Sequence, residues 1–227
     1  MRGKFITFEG GEGTGKSTQA AMLALRLEAL GLAVHLTREP GGSPGAEIIR
    51  HVLLSGAAKP FGPDVEAMLF AAARDDHVRC TILPALDAGK WVICDRFTDS
   101  TRVYQGILGQ VDQRLIKGLE RVSVGDLAPD LTLVLDVPAE LGLERVKLRR
   151  GGAKPDRFEA ENLDFHQKLR QAYLAIAAAE PDRCIVIDAS EPKEAVARKI
   201  WNVVGARLDP LTFPVQGERR RSDVGAS

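Results

Sequence analysis

The sequence predicts an α/β fold, with a five-stranded parallel sheet carrying helices on both faces. Three observations predict it. Five short runs rich in β-branched and apolar residues alternate with helical patterns, and alternation of this kind builds parallel sheets. The first of these runs enters a glycine-rich loop that opens directly into a helix. The chain has 227 residues, which suits one domain able to bury roughly 70% of the surface its unfolded form exposes.

Residues 4–8 (KFITF) read as the first strand, followed by Glu9 and then glycines. A helix begins at Lys16, with Leu23, Leu27 and Leu30 on one stripe and Gly31 as its C-cap. Residues 32–36 form the second strand, Pro40-Gly41-Gly42 a turn, and residues 46–54 a helix. Pro63 opens a long helix that runs to residue 88 and stops at Gly89. Residues 91–94 (WVIC) are a continuously apolar strand of the kind buried on both faces. A helical region follows over 100–125, then a strand at 131–135 and a helix at 139–149. A basic, glycine-containing loop fills 150–155, and a helix covers 159–179. The last strand is 184–187 and the last helix 193–208. The domain is therefore expected over 1–208. A tail from 209 to 227, with two prolines and the run Arg219-Arg220-Arg221, packs poorly on paper and is expected to be disordered. The chain shows no internal repeat.

Charge and composition narrow the function. Lys+Arg and Asp+Glu are equal at 31 each, which argues against nucleic acid or a membrane surface as the main partner. No apolar run reaches the ~18 residues of a membrane span, and Met1-Arg2-Gly3-Lys4 leads straight into a strand, without a signal-peptide pattern. The cysteines, Cys80, Cys94 and Cys184, are three in number and far apart. They read as buried reduced thiols, and the chain as cytoplasmic.

Gly10-Gly11-Glu12-Gly13-Thr14-Gly15-Lys16-Ser17 fits G-x-x-x-x-G-K-[ST] between a strand and a helix, the context that makes this motif a phosphate-binding P-loop. Backbone N–H groups and a helix N-terminus attract phosphates. Lys16 reaches the β- and γ-phosphates, and the Ser17 hydroxyl ligates Mg²⁺. Asp95 ends the buried strand 91–94. In a doubly wound sheet that end lines the ligand crevice, where Asp95 either holds Mg²⁺ through water or caps the next helix. Arg96 follows at once, suited to a phosphate or to the phosphoryl group in transfer. In the long helix, Val65, Met68, Leu69 and Ala72 form an apolar stripe, while Phe70 and Arg74 share another face. They make either a ring platform and a donor for a base, or a second buried face. Arg145, Arg149, Arg150, Lys154 and Arg157 crowd around Gly151-Gly152. They are either a solvated helix end favoured by the helix dipole or a mobile lid that brings an arginine to developing charge.

These segments resemble the thymidylate kinase family over nearly the whole chain, within the P-loop NTPase fold of the nucleoside monophosphate kinase type. Phe8-Glu9-Gly10, Glu12-Gly13, Gly15-Lys16-Ser17-Thr18 resemble its first motif, and Thr37-Arg38-Glu39-Pro40-Gly41-Gly42 its second. Asp95-Arg96-Phe97-Thr98-Asp99-Ser100-Thr101 with Tyr104-Gln105-Gly106, and Ala128-Pro129-Asp130-Leu131 with Leu135-Asp136-Val137, resemble two more. The resemblance implies transfer of the γ-phosphate of ATP to dTMP, with Mg²⁺ as cofactor. It implies that residues 10–18 hold ATP, and that Phe70 stacks on thymine while Arg74 donates to the base. It implies that Arg50 and Arg96 hold the dTMP phosphate, with Glu39 at the same substrate site. Ser100, Thr101, Tyr104 and Gln105 then read base and deoxyribose, with Tyr104 crowding any 2′-hydroxyl. Glu12 matches an acidic position near the metal and the sugar 3′-hydroxyl; a solvent-pointing glutamate is the alternative. In that family the catalytic arginine lies either in the P-loop or in the lid; with Gly13 and Thr14 in the loop here, the resemblance implies the bacterial-type use of lid arginines, over about 149–159. Arg149 and Arg157 are the candidates beside Lys16, Arg96 and Glu12, with Arg150 and Lys154 behind them. Asp156 and Glu159 form the D-x-x-E pattern that closes such a lid. The resemblance also implies a homodimer built on helices that include the one at 63–88. Two other readings stay open: a different P-loop nucleotide or deoxynucleoside kinase, and a P-loop ATPase or GTPase switch, although no N-K-x-D guanine signal occurs.

Overall fold

The structure, a computed structural model, describes residues 2–151 and 158–212. Five parallel strands form one sheet: β1 (Phe5–Glu9), β2 (Val34–Arg38), β3 (Trp91–Asp95), β4 (Leu131–Asp136) and β5 (Cys184–Asp188), in the order β2-β3-β1-β4-β5. β1 is central and pairs with β3 through Phe8↔Asp95 and with β4 through Phe8↔Leu133. The chain leaves β1 toward one edge and returns to the other side at β4. The crevice at the carboxyl ends of β1 and β3 is therefore the switch point where such sheets take ligands.

Alternation along the strands sends successive side chains to opposite faces. Ile6, Phe8, Ile93, Leu133 and Leu135 pack on one face against Leu23 and Leu27 of α1 (Lys16–Ala29) and Val196, Ile200 and Val204 of α9 (Lys193–Leu208). Phe5, Val92 and Cys94 point the other way, onto Val78, Ile82, Leu86 and Phe97. Val134 meets Leu169, Tyr173 and Ile176 of α8 (Leu163–Ala179) on that same side. Both faces are thus covered, as the apolar strand sequences require. Two threonines inside the sheet, Thr7 and Thr132, satisfy one another across 2.7 Å.

Several boundaries differ from the sequence expectation, each for a local reason. After α1 the backbone N–H groups of Gly31 and Leu32 still bond to Glu28 and Leu27. The second strand therefore starts at Val34 and runs on to Arg38, which sets Glu39 at the crevice. The long helix is α3 (Pro63–His77), then a wider π-helical turn over Val78–Ile82, then α4 (Leu83–Asp87). Pro84 lacks an N–H and its ring crowds the carbonyl four residues back, and the widened turn precedes it. The region 100–125 splits into a short helix, α5 (Thr98–Thr101), a π-helical stretch to Leu108, and α6 (Gln113–Val124). Gln110 takes a positive φ of 56° and Asp112 caps α6 by accepting from Arg114 N. α7 spans Ala139–Arg150. α8 begins at Leu163 rather than 159, because the Asn162 side chain accepts from Phe165 N and fixes the N-cap there. Of the cysteines, Cys94 and Cys184 are buried, but Cys80 is exposed on the solvent side of the π-helical turn, correcting the expectation for that residue. α2 (Pro44–Leu54) packs beside α3, tied at its start by Asp76, which accepts from Ser43 Oγ and Ala46 N. Among the described residues no helix is long and apolar enough to cross a membrane. The expected disordered tail falls mostly outside them; within them, Pro210–Thr212 form a single helical turn.

Candidate active site

The loop between β1 and α1 wraps Lys16. Its Nζ donates to Gly10 O at 3.1 Å and to Gly11 O at 2.7 Å, and Thr14 Oγ1 donates to Gly11 O. Gly15 enters α1 with φ 92°, a left-handed turn that glycine adopts without penalty. Gly13 is held for a second reason. A Cβ there would stand 2.0 Å from Gly142 O, while a Cβ on Gly142 would stand 2.5 Å from Glu12 O. The loop thus rests backbone to backbone on the first turn of α7.

Glu12 does not point to solvent. Its Oε1 accepts from Arg96 Nη2 at 2.6 Å and from the Tyr104 hydroxyl at 2.7 Å. Burial works against its charge, but Arg96 and Lys16, with the Tyr104 hydroxyl, hold the carboxyl down to about 2. Lys16 feels the opposite balance. Burial and the neighbouring Arg96 bring it down to about 8, against the pull of Glu12 and Asp95. Arg96 itself has a positive φ of 73°, uncommon for a residue with a Cβ. Its guanidinium also donates to Gly10 O, Tyr173 Oη and Ser100 Oγ. Glu9, wholly buried at the end of β1, accepts from Phe97 N, Ser100 N and Ser100 Oγ, which anchors the backbone just after Arg96. Burial, reinforced by Asp99, pushes Glu9 up to about 7.

At the end of β3 the Asp95 carboxylate accepts from Ser17 Oγ through Oδ2, while its buried Oδ1 has no hydrogen-bond partner among the described residues. An unpartnered buried carboxylate oxygen beside a hydroxyl is an all-oxygen donor set of the kind a hard cation takes.

A cavity of about 300 Å³ joins these groups to the other half of the site. Glu12, Gly13, Gly15, Lys16, Ser17, Thr18 and Asp95 line it from the loop, the start of α1 and the end of β3, and Phe70, Ser100, Thr101, Tyr104 and Gln105 line it from α3 and the segment after β3, together with Arg38, Glu39, Arg50 and Arg96. Gly10, Gly11 and Thr14 of the loop instead line a small second cavity with His166 and Tyr173. Arg74 is not on the cavity wall. It is buried one helical turn from Phe70, with Nε donating to Glu39 Oε2 at 2.7 Å and Nη2 to Phe97 O and Thr101 Oγ1. Arg50 donates to Pro40 O across the bend at the cis Glu39–Pro40 bond.

Of the lid cations, Arg149 lines the cavity, and its Nη2 donates to Glu159 Oε1 at 3.0 Å. Arg150 approaches the same carboxylate at 3.8 Å. Arg145 is turned elsewhere, onto Ala189 O and Ser190 O, so it ties α7 to the loop after β5 instead of joining the basic cluster. Lys154, Asp156 and Arg157 lie outside the described residues. Sequence reasoning gave no role to Arg38, Tyr173, Gly142, Glu9 or His77. The first lies in one quoted motif and Glu9 in another, but neither carries a pattern that separates a site residue from a strand end.

A model of the family described as thymidylate kinase matches residues 8–200. Thymidylate kinases of Nitrobacter winogradskyi and Bradyrhizobium diazoefficiens are 63% and 60% identical to it, over 88% and 94% of this chain and 87% and 94% of their own. One from Rhodopseudomonas palustris is 61% identical over 91% of this chain and 90% of its own. The chain belongs to the thymidylate kinase family. It is accordingly a nucleoside monophosphate kinase, a phosphotransferase that uses ATP, and its five-stranded parallel sheet is the fold of that family.

Proposed function

We propose that the chain transfers the γ-phosphate of ATP to dTMP, giving dTDP, through the cavity that joins its P-loop to Phe70. One observation carries the reading: a single cavity is lined by a phosphate-binding loop, by an aromatic ring with amide and hydroxyl groups, and by arginines. ATP takes the loop of residues 10–18. Lys16 draws the β- and γ-phosphates, and the N-terminus of α1 adds its dipole. dTMP takes the far end, with its base on Phe70 and against Ser100, Thr101 and Gln105. Arg74 and Glu39 support that base from beneath. Tyr104, held on Glu12, meets the sugar edge and crowds a 2′-hydroxyl. Arg50 and Arg96 face the acceptor phosphate.

Two anions must meet in line, so positioning and charge neutralisation supply most of the rate, and no strong base is needed. Ser17 and Asp95 fit as the Mg²⁺ ligands. Held by them, Mg²⁺ would offset the negative charge that develops during phosphoryl transfer. Arg149, and Arg157 beyond the described residues, are the lid arginines for the phosphoryl group in transfer. The Arg149 side chain is 67% exposed in its pair with Glu159. Its carboxylate partner is 11% exposed and also faces Arg150 at 3.8 Å. The lid over 149–159 belongs to a single domain, 1–208.

The chain acts as a homodimer in the cytoplasm. α2, α3 and α6 lie side by side and expose Ile48, Val52, Met68 and Val122, an apolar surface fit for a second copy. Three free cysteines suit a reducing compartment. Sedimentation of the chain should give twice its mass, and the pair Ile48→Glu and Val122→Glu should give the single-chain mass; a monomer before substitution would sink the assembly.

The activity test is ADP release with ATP and Mg²⁺ against dTMP, dUMP, dCMP, UMP, AMP, GMP, thymidine and no acceptor. Strong release with dTMP, weak with dUMP and none with thymidine is expected. Preference for another monophosphate would overturn the base pocket. Equal release without an acceptor would make the chain an ATPase.

A further inference from the structure

The segment Thr37-Arg38-Glu39-Pro40-Gly41-Gly42 holds more than a substrate contact. Behind the cavity lies His77, at the end of α3, with no exposed surface at all. Its Nδ1 is 3.0 Å from Glu39 Oε1 and its Nε2 is 2.8 Å from Thr37 Oγ1. A carboxylate oxygen only accepts, so Nδ1 carries the proton and donates it to Glu39; in that tautomer Nε2 accepts from the Thr37 hydroxyl. The other oxygen of Glu39 takes Arg74 Nε at 2.7 Å. Arg74 Nη2 is spent on Phe97 O and Thr101 Oγ1, and among the described residues no hydrogen bond engages Nη1.

Gly42 closes this row of groups. A Cβ there would lie 2.4 Å from both His77 Nε2 and Thr37 Oγ1. Its backbone is pinned on both sides, N to Glu47 Oε1 and O by Thr81 Oγ1. Thr37, Glu39 and Gly42 thus surround one imidazole from a single six-residue stretch. Glu39, His77 and Cys94 also place donor atoms within 4.8 Å of one another, close enough to ligate a cation. Both Glu39 oxygens and both ring nitrogens are already engaged, and the Arg74 guanidinium occupies the position such a cation would contest.

We propose that His77 is a positioning residue for acceptor recognition: the row Thr37–His77–Glu39–Arg74 fixes the arginine that lies beneath the nucleobase end of the cavity. The proposal rests on that cavity end taking the acceptor's base. Two rigid hydrogen bonds orient a carboxylate that would otherwise rotate. The carboxylate, together with Phe97 O and Thr101 Oγ1, which accept from Nη2, in turn sets the plane of the guanidinium and so the direction of Nη1. Thr37, His77 and Arg74 do not line the cavity, and the row reaches it only through Glu39 and, by way of Arg74, Thr101, so the effect of His77 falls on the acceptor.

The test uses the full chain and three variants, His77→Leu, His77→Asn and His77→Gln. The Asn amide nitrogen replaces Nδ1 and keeps the bond to Glu39, whereas Gln reaches toward Thr37 and loses it. Losing one hydrogen bond to a charged group costs roughly tenfold or more in binding. His77→Leu and His77→Gln should therefore raise KM for the acceptor by roughly tenfold, leave KM for ATP within about twofold, and be largely rescued in His77→Asn. In an Arg74→Lys background the penalty of His77→Leu should vanish, because the residue through which it acts is gone. Equal shifts in both KM values, a His77→Asn no better than His77→Gln, or an undiminished penalty in the Arg74→Lys background would each overturn the proposal. If His77→Leu fails to fold, the Asn–Gln contrast decides alone. Acceptor KM is measured with whichever monophosphate the unaltered chain prefers, so a preference other than dTMP counts against the base pocket and not against His77.

Discussion

At the scale of single residues, the charge of Lys16 is the quantity most exposed to pH. Burial and Arg96 hold it down to about 8 in the free protein. Phosphates favour the ammonium form, so binding ATP raises that value and takes up a proton near pH 8. The sign follows: below about 8 the lysine is already charged and affinity is full, and as pH rises through 8 the free protein loses the proton that ATP must restore. ATP affinity should thus fall above pH 8, by up to tenfold per pH unit once the free lysine is neutral. Calorimetry in buffers of different ionisation enthalpy reads both the affinity and the proton uptake; a flat affinity from pH 7 to 9.5 would show that Lys16 is not the titrating group. Lys16→Met should lower kcat/KM by roughly a thousandfold, the scale of a lost charge stabiliser in a dry site. Tyr104→Phe keeps the ring but frees one side of Glu12. It should relax discrimination against a ribose 2′-hydroxyl less than Tyr104→Ala does, if crowding rather than the phenol oxygen excludes it. The dUMP:UMP rate ratio measures that difference.

Elements are where sequence and structure part company, and particular residues show why. The P-loop was legible because its chemistry is local: glycines, lysine and serine act within one turn of chain. The five strands and their order of use were legible from apolar runs. What could not be read is whatever depends on two distant segments meeting. Gly142 looks like an ordinary helix glycine, yet a Cβ there would meet Glu12 O at 2.5 Å. Arg145 looks like a lid cation until the loop after β5 offers it two carbonyls. Arg74 shares a helix face with Phe70, but only the position of Glu39, two residues further along β2 than the apolar pattern suggests, draws it beneath the cavity. Gly142→Ala separates these effects. Helix propensity favours alanine by about 1 kcal/mol, but a contact of 2.5 Å with a backbone carbonyl cannot be relieved by a rotamer, and overpacking of this kind costs typically about 1–3 kcal/mol. The clash should win. The variant should melt lower than the unaltered chain and lose ATP affinity while dTMP affinity holds. A variant more stable than the parent would mean that the loop does not rest on α7 in solution.

For the whole molecule, the crevice lies at the centre of the sheet, between the loop after β1 and the carboxylate at the end of β3, and the elements around it come from both halves of the chain. α1 and the P-loop bring one wall, α2 and α3 the wall proposed for the acceptor, and α7 and α8 the side from which Arg149 and Tyr173 approach. A ligand that spans the cavity therefore adds contacts between segments already joined by Glu12–Arg96, Ser17–Asp95 and Arg96–Tyr173, and global stability should respond to it. Anything that binds the folded chain alone stabilises it by RT ln(1 + [L]/Kd), about 2.7 kcal/mol at a hundredfold excess over Kd. For a chain of this size each kcal/mol moves Tm by roughly 2–4 °C. A non-hydrolysable ATP analogue with Mg²⁺ at that excess should raise Tm by roughly 5–11 °C. Adding dTMP at the same excess should raise it further, and thymidine, which lacks the phosphate proposed to meet Arg50 and Arg96, should add little. If the two shifts simply sum, the two ends of the cavity bind independently. If together they exceed the sum, binding at one end prepares the other, as a lid that closes over both nucleotides would do. A shift with dTMP but none with the ATP analogue would leave the P-loop reading without support, since the loop and Lys16 are the part of the site most completely assembled by this fold.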